Sequence, residues 1–402
     1  MLVAFSALVL AQPARAADER PKEAKNEFTV VPFVGGDSDV GLGGGYIASL
    51  ARVHPEYEPY LYRVESATTT TFKSGGSSGV QVPYIDSYLL LEMPHVIDDQ
   101  LRLELRVSYT RESTLKYYGL GNASKIPEAR EPSDSFFEHK RIHPTFRMRA
   151  RYFLTEQLLF TWGAAYTQNW LVVPENTLLA SDMRAGTDHV RDLLGSDENH
   201  GVAEFSYGIG WDTRNDEVSP SRGQYHTARI DFAPGGYDGV PYRWARIDLA
   251  ARVYATIVPR RLTFALRVLS DLLVGAPPFY ELPRYDDTSA VGGVKGVRGV
   301  PAQRYYGKAK VLSNAELRTE LFDFRLLGKN NTFGITGFFD SGRVWADYER
   351  DEQLDGTGLG LKYGAGGGVR VKAGGSFVLR VDVAWSPDAH PLAGYISSGH
   401  VF

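Results

Sequence analysis

The feature that most restricts the fold of this 402-residue chain is an alternation of apolar and polar residues with period two. It is sustained from Glu27 onward in segments of about 9 to 18 residues. In Leu101–Tyr109, the residues Leu101, Leu103, Leu105, Val107 and Tyr109 form one face, and Arg102, Glu104, Arg106 and Ser108 form the other. Ala245–Val253 and Phe377–Trp385 divide in the same way, the latter placing Arg380 and Asp382 on its polar face. Such a pattern encodes strands with two chemically different faces.

Two architectures accept strands of this kind. In a soluble sandwich the apolar face meets a second sheet, whereas in a membrane barrel it meets lipid and the polar face lines the lumen. Length separates them, because a tilted strand needs about 9 to 11 residues to cross the hydrocarbon layer and sandwich strands usually run about 5 or 6. We place strands at 27–35, 39–52, 58–73, 79–94, 99–113, 136–154, 157–171, 199–214, 222–235, 241–258, 260–276, 308–326, 331–346, 359–372, 375–387 and 393–402. Every even-numbered connection is short, the longest being the turn from Asn215 to Ser221. Long connections fall only at odd positions: Thr114–Ser135, Val172–Glu198, Ala276–Gly307 and Ala346–Gly358. Tight turns on one side and long loops on the other are the asymmetry of an outer-membrane barrel. The expected fold is all-β, a transmembrane antiparallel up-and-down β-barrel of about 16 strands with both termini in the periplasm.

No segment approaches the ~20 consecutive apolar residues of a transmembrane helix, so a spanning structure must be a closed barrel. Met1–Leu10 is apolar and Ala14-Arg15-Ala16 has the small-x-small pattern of a cleavage site, which predicts a signal peptide at 1–16. A short polar leader at 17–26 and a barrel domain at 27–402 complete the expected organisation.

Other function classes find little support. A net charge of −4 gives no basis for nucleic-acid binding, and the absence of cysteine excludes disulfides and thiolate metal sites. No GxSxG motif accompanies the histidines, most of which fall in loops or turns, and Gly41–Gly45 lies in an alternating strand with no following helix or lysine. We expect no enzyme activity, no catalytic residue, no cofactor and no metal.

Within the Ala276–Gly307 connection stands Val297-Arg298-Gly299-Val300. It resembles the VRGF/Y motif of the BamA-like outer-membrane assembly and translocation superfamily, the bacterial surface antigen family. The order of surrounding motifs extends the resemblance. Asn314-Ala-Glu316-Leu-Arg318 is similar to the strand that follows the loop, Gly337-Phe-Phe-Asp340-Ser-Gly342 to the family's FxDxG strand, and Gly364-Ala-Gly366-Gly-Gly368 to the Gly-rich strand after it. Upstream, Asp212, Arg214 and Asp216 with Pro220 and Gly223 resemble the DTRD…PxxG periplasmic turn, and Tyr117–Asn122 resembles the YGxGN loop. A terminal Phe402 with Gly399 three residues before it resembles the C-terminal signal by which barrel precursors are recognised.

The resemblance implies that the sixth outer loop folds into the lumen. Alternation turns Asp340 and Glu316 inward, where they can pair with Arg298, whose planar fork binds carboxylates bidentately. Arg298 is thus expected to latch the loop, with Gly299 allowing close approach and Gly342 leaving room at the wall. Two departures stand out. Val300 replaces an aromatic, which should lose the ring's packing, and the short leader leaves no space for the POTRA receptor domains that usually precede such barrels.

The implied function is insertion or translocation of protein, or lipid, at the outer membrane of a Gram-negative bacterium. The implied partners are the lipid bilayer and lipopolysaccharide, unfolded polypeptide, and a separate periplasmic protein in place of the missing receptor, with the barrel itself a monomer. A passive channel or porin for small solutes is the alternative. The inward arginines suit a polypeptide conduit and equally an ordinary solvated inner wall.

Overall fold

A computed structural model describes residues 24–402 apart from 55–56, 75–78, 98–99, 127–133, 236–241, 286–287, 290, 327–328, 374–376 and 389–391. The expected signal peptide and most of the leader lie outside the described residues. The strands are β1 (Lys25–Asp37), β2 (Gly41–His54), β3 (Tyr57–Ser74), β4 (Tyr84–Met93), β5 (Leu101–Lys116), β6 (Glu138–Phe153), β7 (Leu158–Val172) and β8 (His200–Asp212). The second half comprises β9 (Gly223–Ala233), β10 (Trp244–Val258), β11 (Leu262–Gly275), β12 (Ala309–Leu326), β13 (Lys329–Trp345), β14 (Lys362–Ala373), β15 (Phe377–Trp385) and β16 (Ala393–Ser398). Each pairs antiparallel with its sequence neighbours, and β16 returns to β1. The result is a closed up-and-down barrel, in which strand-to-strand pairing satisfies the backbone around the wall and the closure itself is a short β1–β16 contact.

The two faces of the wall follow from the alternation. On β12, Leu317 and Leu321 are exposed while Asn314, Glu316 and Arg318 are buried; on β13, Ile335 and Phe339 are exposed while Thr336, Phe338 and Asp340 are buried. The exposed row is the lipid face and the buried polar row lines the lumen.

Three expectations are corrected. The first strand extends beyond the expected 27–35: it runs from Lys25 to Asp37 and keeps register with β2 through Pro32, opposite Tyr46. A proline without an N–H is tolerated because most of β1 has no second neighbour. The fourth strand is broken at Pro83, which leaves Val80–Gln81 as a separate piece paired with β3. The last strand ends at Ser398, because Gly399 takes a φ of 72° and redirects the chain inward. That conformation suits glycine, which has no Cβ to clash.

The Val172–Glu198 connection, read as a plain loop, carries α1 (Leu178–Ala185) and α2 (Asp188–Leu194). Thr177 and Thr187 cap their N-termini by accepting from the Ala180 and Val190 amides. Both helices feed an apolar cluster at the outer end. Leu179, Leu193 and Leu194 meet Tyr117, Leu120, Trp244, Leu273, Phe279, Tyr280, Leu282 and Tyr306. A barrel wall that faces lipid outside and water inside has no apolar core of its own, so this cluster lies where the outer loops pack on one another.

Candidate functional site

A second apolar cluster seats the sixth outer loop, residues 276–308. Val291, Val297, Val300 and Tyr305 from the loop pack on Ala250, Leu269, Leu312 and Val344 of the wall. Val300 is fully buried, so the packing expected to be lost with the family's aromatic is supplied by aliphatic neighbours instead. Gly342 leaves the space this requires: a Cβ there would stand 3.0 Å from Val291 and 3.3 Å from Val297.

Between these valines, Arg298 is turned toward the carboxylates of the inward row and has no exposure to solvent. Its Nε and Nη2 donate to the two oxygens of Asp340 at 2.7 and 2.9 Å, and its amide donates to the same carboxylate at 3.1 Å. Nη1 donates to Glu316 at 2.8 Å and to Asp382 at 3.1 Å. The guanidinium also stacks over the Phe338 ring, 3.4 Å from its centroid. Burial alone would work against the charge, but Asp340 and Glu316 hold the Arg298 pKa above its ordinary value. Glu316 is opposite Phe338 and Asn314 is opposite Asp340 in the β12–β13 register, so alternation delivers both carboxylates to one patch. Asn314 donates to Asp340 at 2.8 Å and fixes that carboxylate from the other side.

Asp382 is the partner that sequence reasoning did not single out. It stands on β15, separated from β13 by the whole of β14, and a side chain on the intervening strand would block its approach. Three successive inward positions of β14 are Gly364, Gly366 and Gly368, ahead of Arg370. A Cβ at Gly364 would overlap the Arg298 carbonyl oxygen, one at Gly366 would come within 2.5 Å of the Phe338 ring, and one at Gly368 would overlap an Asp382 carboxylate oxygen. The Gly-rich strand is therefore a bare floor beneath the arginine.

The same loop touches both sides of the closure between β1 and β16. Gly299, at φ 95°, donates its amide to Tyr395 Oη of β16 at 2.9 Å. Ala302 donates to Asp39 Oδ2 in the first outer turn at 3.0 Å. The ladder between β1 and β16 is short: among the described residues it holds Gly36 opposite Ile396 and Asp37 opposite Tyr395, supplemented by Ser38 with Gly394 at 3.2 and 2.9 Å. By contrast, β1 and β2 are in register from Lys25–Val53 to Asp37–Gly41.

At the inner end, Asp212 accepts from Arg214 through both oxygens at 2.6 to 3.1 Å. Asp216 caps the turn by accepting from Val218 and Ser219, at 2.8 and 2.6 Å. Pro220 is buried, and Gly223 takes a φ of 96°. The turn reaches the inward-bent C-terminal segment, where Ser219 Oγ lies 3.2 Å from His400 Nε2. Phe402 is not on a strand: its ring lies 5.2 and 5.1 Å from the Arg267 and Arg318 guanidiniums.

Comparison with known proteins accords with this geometry. Residues 86–391 match the model of the Omp85 superfamily domain. Among solved structures, the chain superposes on BamA from Haemophilus ducreyi lacking POTRA domains 1–3 with a TM-score of 0.60 at 13% identity, over 93% of this chain and 70% of that one. CdiB from Escherichia coli gives a TM-score of 0.58 at 12% identity, over 94% and 68%. At these identities the likeness is one of fold. Among curated proteins no sequence matches.

Proposed function

The chain belongs to the Omp85 superfamily, and from that premise we propose that it inserts or translocates protein, or lipid, at the Gram-negative outer membrane with a separate periplasmic partner. The observation that carries this reading is the short ladder between β1 and β16. Below Gly36 the β16-facing edge of β1 pairs with no strand among the described residues. An edge with few cross-strand bonds separates at low cost, and unpaired N–H and C=O groups there can accept an incoming strand. The wall would then open sideways into the lipid. Arg298, by tying the sixth loop to β12, β13 and β15, would hold the wall on the β16 side rigid while the closure parts. It acts as a latch for the loop within the lumen and takes no part in chemistry.

The alternative of a passive channel needs an unobstructed outer mouth. The apolar cluster that packs α1 and α2 on the sixth loop weighs against it.

The test uses the cysteine-free sequence. Ser38→Cys with Gly394→Cys places two thiols across the closure, at positions whose backbones are hydrogen-bonded. A Cβ on Gly394 meets nothing within 4 Å, beyond the usual reach of a direct disulfide, so a short bis-methanethiosulfonate joins them through two reducible disulfides. The cross-linked protein should fold yet fail to restore the outer-membrane protein and lipid profile of a deletion strain, and reduction should rescue it. Full restoration by the cross-linked form would overturn lateral opening.

A further inference from the structure

The barrel holds a second polar site, toward its inner end, that adjoins the latch and shares its carboxylates. Five guanidinium groups, Arg267, Arg298, Arg318, Arg370 and Arg380, gather with three carboxylates, Glu316, Asp340 and Asp382, and every one of these residues is at least nine-tenths buried. Burying charge is costly unless it is compensated. Arg298 takes a share of all three carboxylates, so the surplus of positive charge falls on the others.

Two of those arginines line a cavity of about 350 Å³ that opens toward the inner turns. Its size is at the lower end of small-molecule sites. Arg318 uses Nε on Glu316 at 2.8 Å and Nη2 on the Phe402 carbonyl at 3.0 Å, which leaves Nη1 buried without a hydrogen-bond partner. Arg370 commits Nη1 to Asp382 at 2.5 Å, and its Nε and Nη2 are likewise buried without hydrogen bonds. Between them, the Thr336 hydroxyl and His400 Nδ1 are also buried and unsatisfied. Lys372, on the same wall, is neutralised by Glu320 at 2.7 Å. Buried polar groups in folded proteins almost always have partners, so unmatched donors converging from three strands on one cavity point to a missing acceptor.

We propose that this cavity binds a phosphoryl group, held by Arg318 and Arg370 and completed by Thr336 and His400. Guanidinium forks match the geometry of such an oxyanion. A phosphoryl group carries about −1.5 to −2 charge and three acceptor oxygens, so it can accept from several of these unmatched donors at once, where a carboxylate offers only two oxygens. The source is either free phosphate or a lipid headgroup entering from the inner leaflet. The site is independent of the insertion reading.

The full chain in a phosphorus-free detergent is titrated calorimetrically with inorganic phosphate, against chloride at matched ionic strength. Saturable binding specific to phosphate is expected. Arg370→Gln should weaken it by about tenfold or more. Thr336→Val, which removes an unsatisfied hydroxyl, should weaken binding while leaving the melting temperature unchanged or higher. A headgroup source would appear as one tightly bound phosphorus per barrel after purification from vesicles of phosphatidic acid, whose headgroup is a phosphomonoester, present in the wild type and lost in Arg370→Gln. A free-phosphate source would appear as titratable binding that such vesicles do not abolish. The absence of both titratable phosphate and wild-type-specific bound phosphorus would overturn the proposal, as would equal binding by wild type and both variants.

Discussion

Gly364 lies directly beneath Arg298: a Cβ on this β14 residue would overlap the Arg298 carbonyl oxygen. The obstacle is backbone on both sides, so no side-chain rotation relieves it. Gly364→Ala should displace the loop at a cost of about 1–3 kcal/mol or more, as overpacking of a closed site does. Gly337, on the lipid face of the adjoining strand, supplies the control, because a Cβ there meets nothing within 4 Å. Proteolysis within residues 276–308 should accelerate for Gly364→Ala and not for Gly337→Ala. Equal rates would show that the bare floor is irrelevant to the loop.

The charge arrangement predicts an order among substitutions at the latch. Arg298→Ala leaves Glu316, Asp340 and Asp382 buried together without their shared cation, and breaking a buried ion pair in this way costs about 3–5 kcal/mol. Arg298→Lys keeps the charge but cannot reach three carboxylates with a fork, so it should fall between alanine and wild type. Asp340→Asn removes the bidentate partner alone and should be milder than Arg298→Ala. Heat-modifiable mobility on gels, followed against temperature, ranks the variants. Wild-type mobility and wild-type protease resistance in Arg298→Ala would remove the latch.

How far the sequence carries depends on whether a feature is periodic. Strand positions, their parity and the inward placement of Glu316, Asp340 and Asp382 follow from alternation, which a membrane barrel imposes on nearly every residue. The selection of Asp382 as a third ligand did not follow, because inward acids on different strands look alike and only the absence of side chains on β14 brings this one within reach. Gly364, Gly366 and Gly368 carried that signal in plain view. The helices over 178–194 are marked in the sequence only by Thr177, Gly186, Thr187 and Gly195, the caps at their ends, because two helices of eight and seven residues are too short to show a sustained apolar period. The inward bend at Gly399 was hidden because Gly399–Phe402 prolongs the alternation of β16. The resemblance to barrel termini favoured the same error.

Asp39 gives the contact between the first outer turn and the sixth loop a pH dependence. Burial, reinforced by the neighbouring Asp37, raises the Asp39 carboxyl to about 7 from an ordinary value of 3.8, while the Ala302 amide works in the opposite direction. A raised carboxyl pKa means that the folded state holds its proton more tightly than the unfolded state does. The associated stability is fully present below about pH 4 and is lost as pH rises through about 7. The melting temperature should therefore fall across that interval. Asp39→Asn keeps an oxygen for the Ala302 amide and removes the titration, so it should flatten the profile and melt higher than wild type at pH 7.5. An unchanged slope in Asp39→Asn would assign the pH dependence elsewhere.

The apolar cap over the outer mouth decides between a laterally opening wall and a solute channel. Leu194 is fully buried in the cluster that joins α2 to Phe279, Tyr280 and Leu282 of the sixth loop. Leu194→Ala removes packing at a cost of about 2–5 kcal/mol. It alters no strand residue and no residue of the Arg298 site, so the wall should still form. If the cap seals the lumen, wild type in a planar bilayer should pass little current and Leu194→Ala should raise both the frequency and the size of openings. Steady, size-limited conductance in wild type, unchanged in Leu194→Ala, would instead favour the channel. The outcome turns on packing alone, because the substitution changes no charge in the lumen and any gain in current must come from a loosened lid.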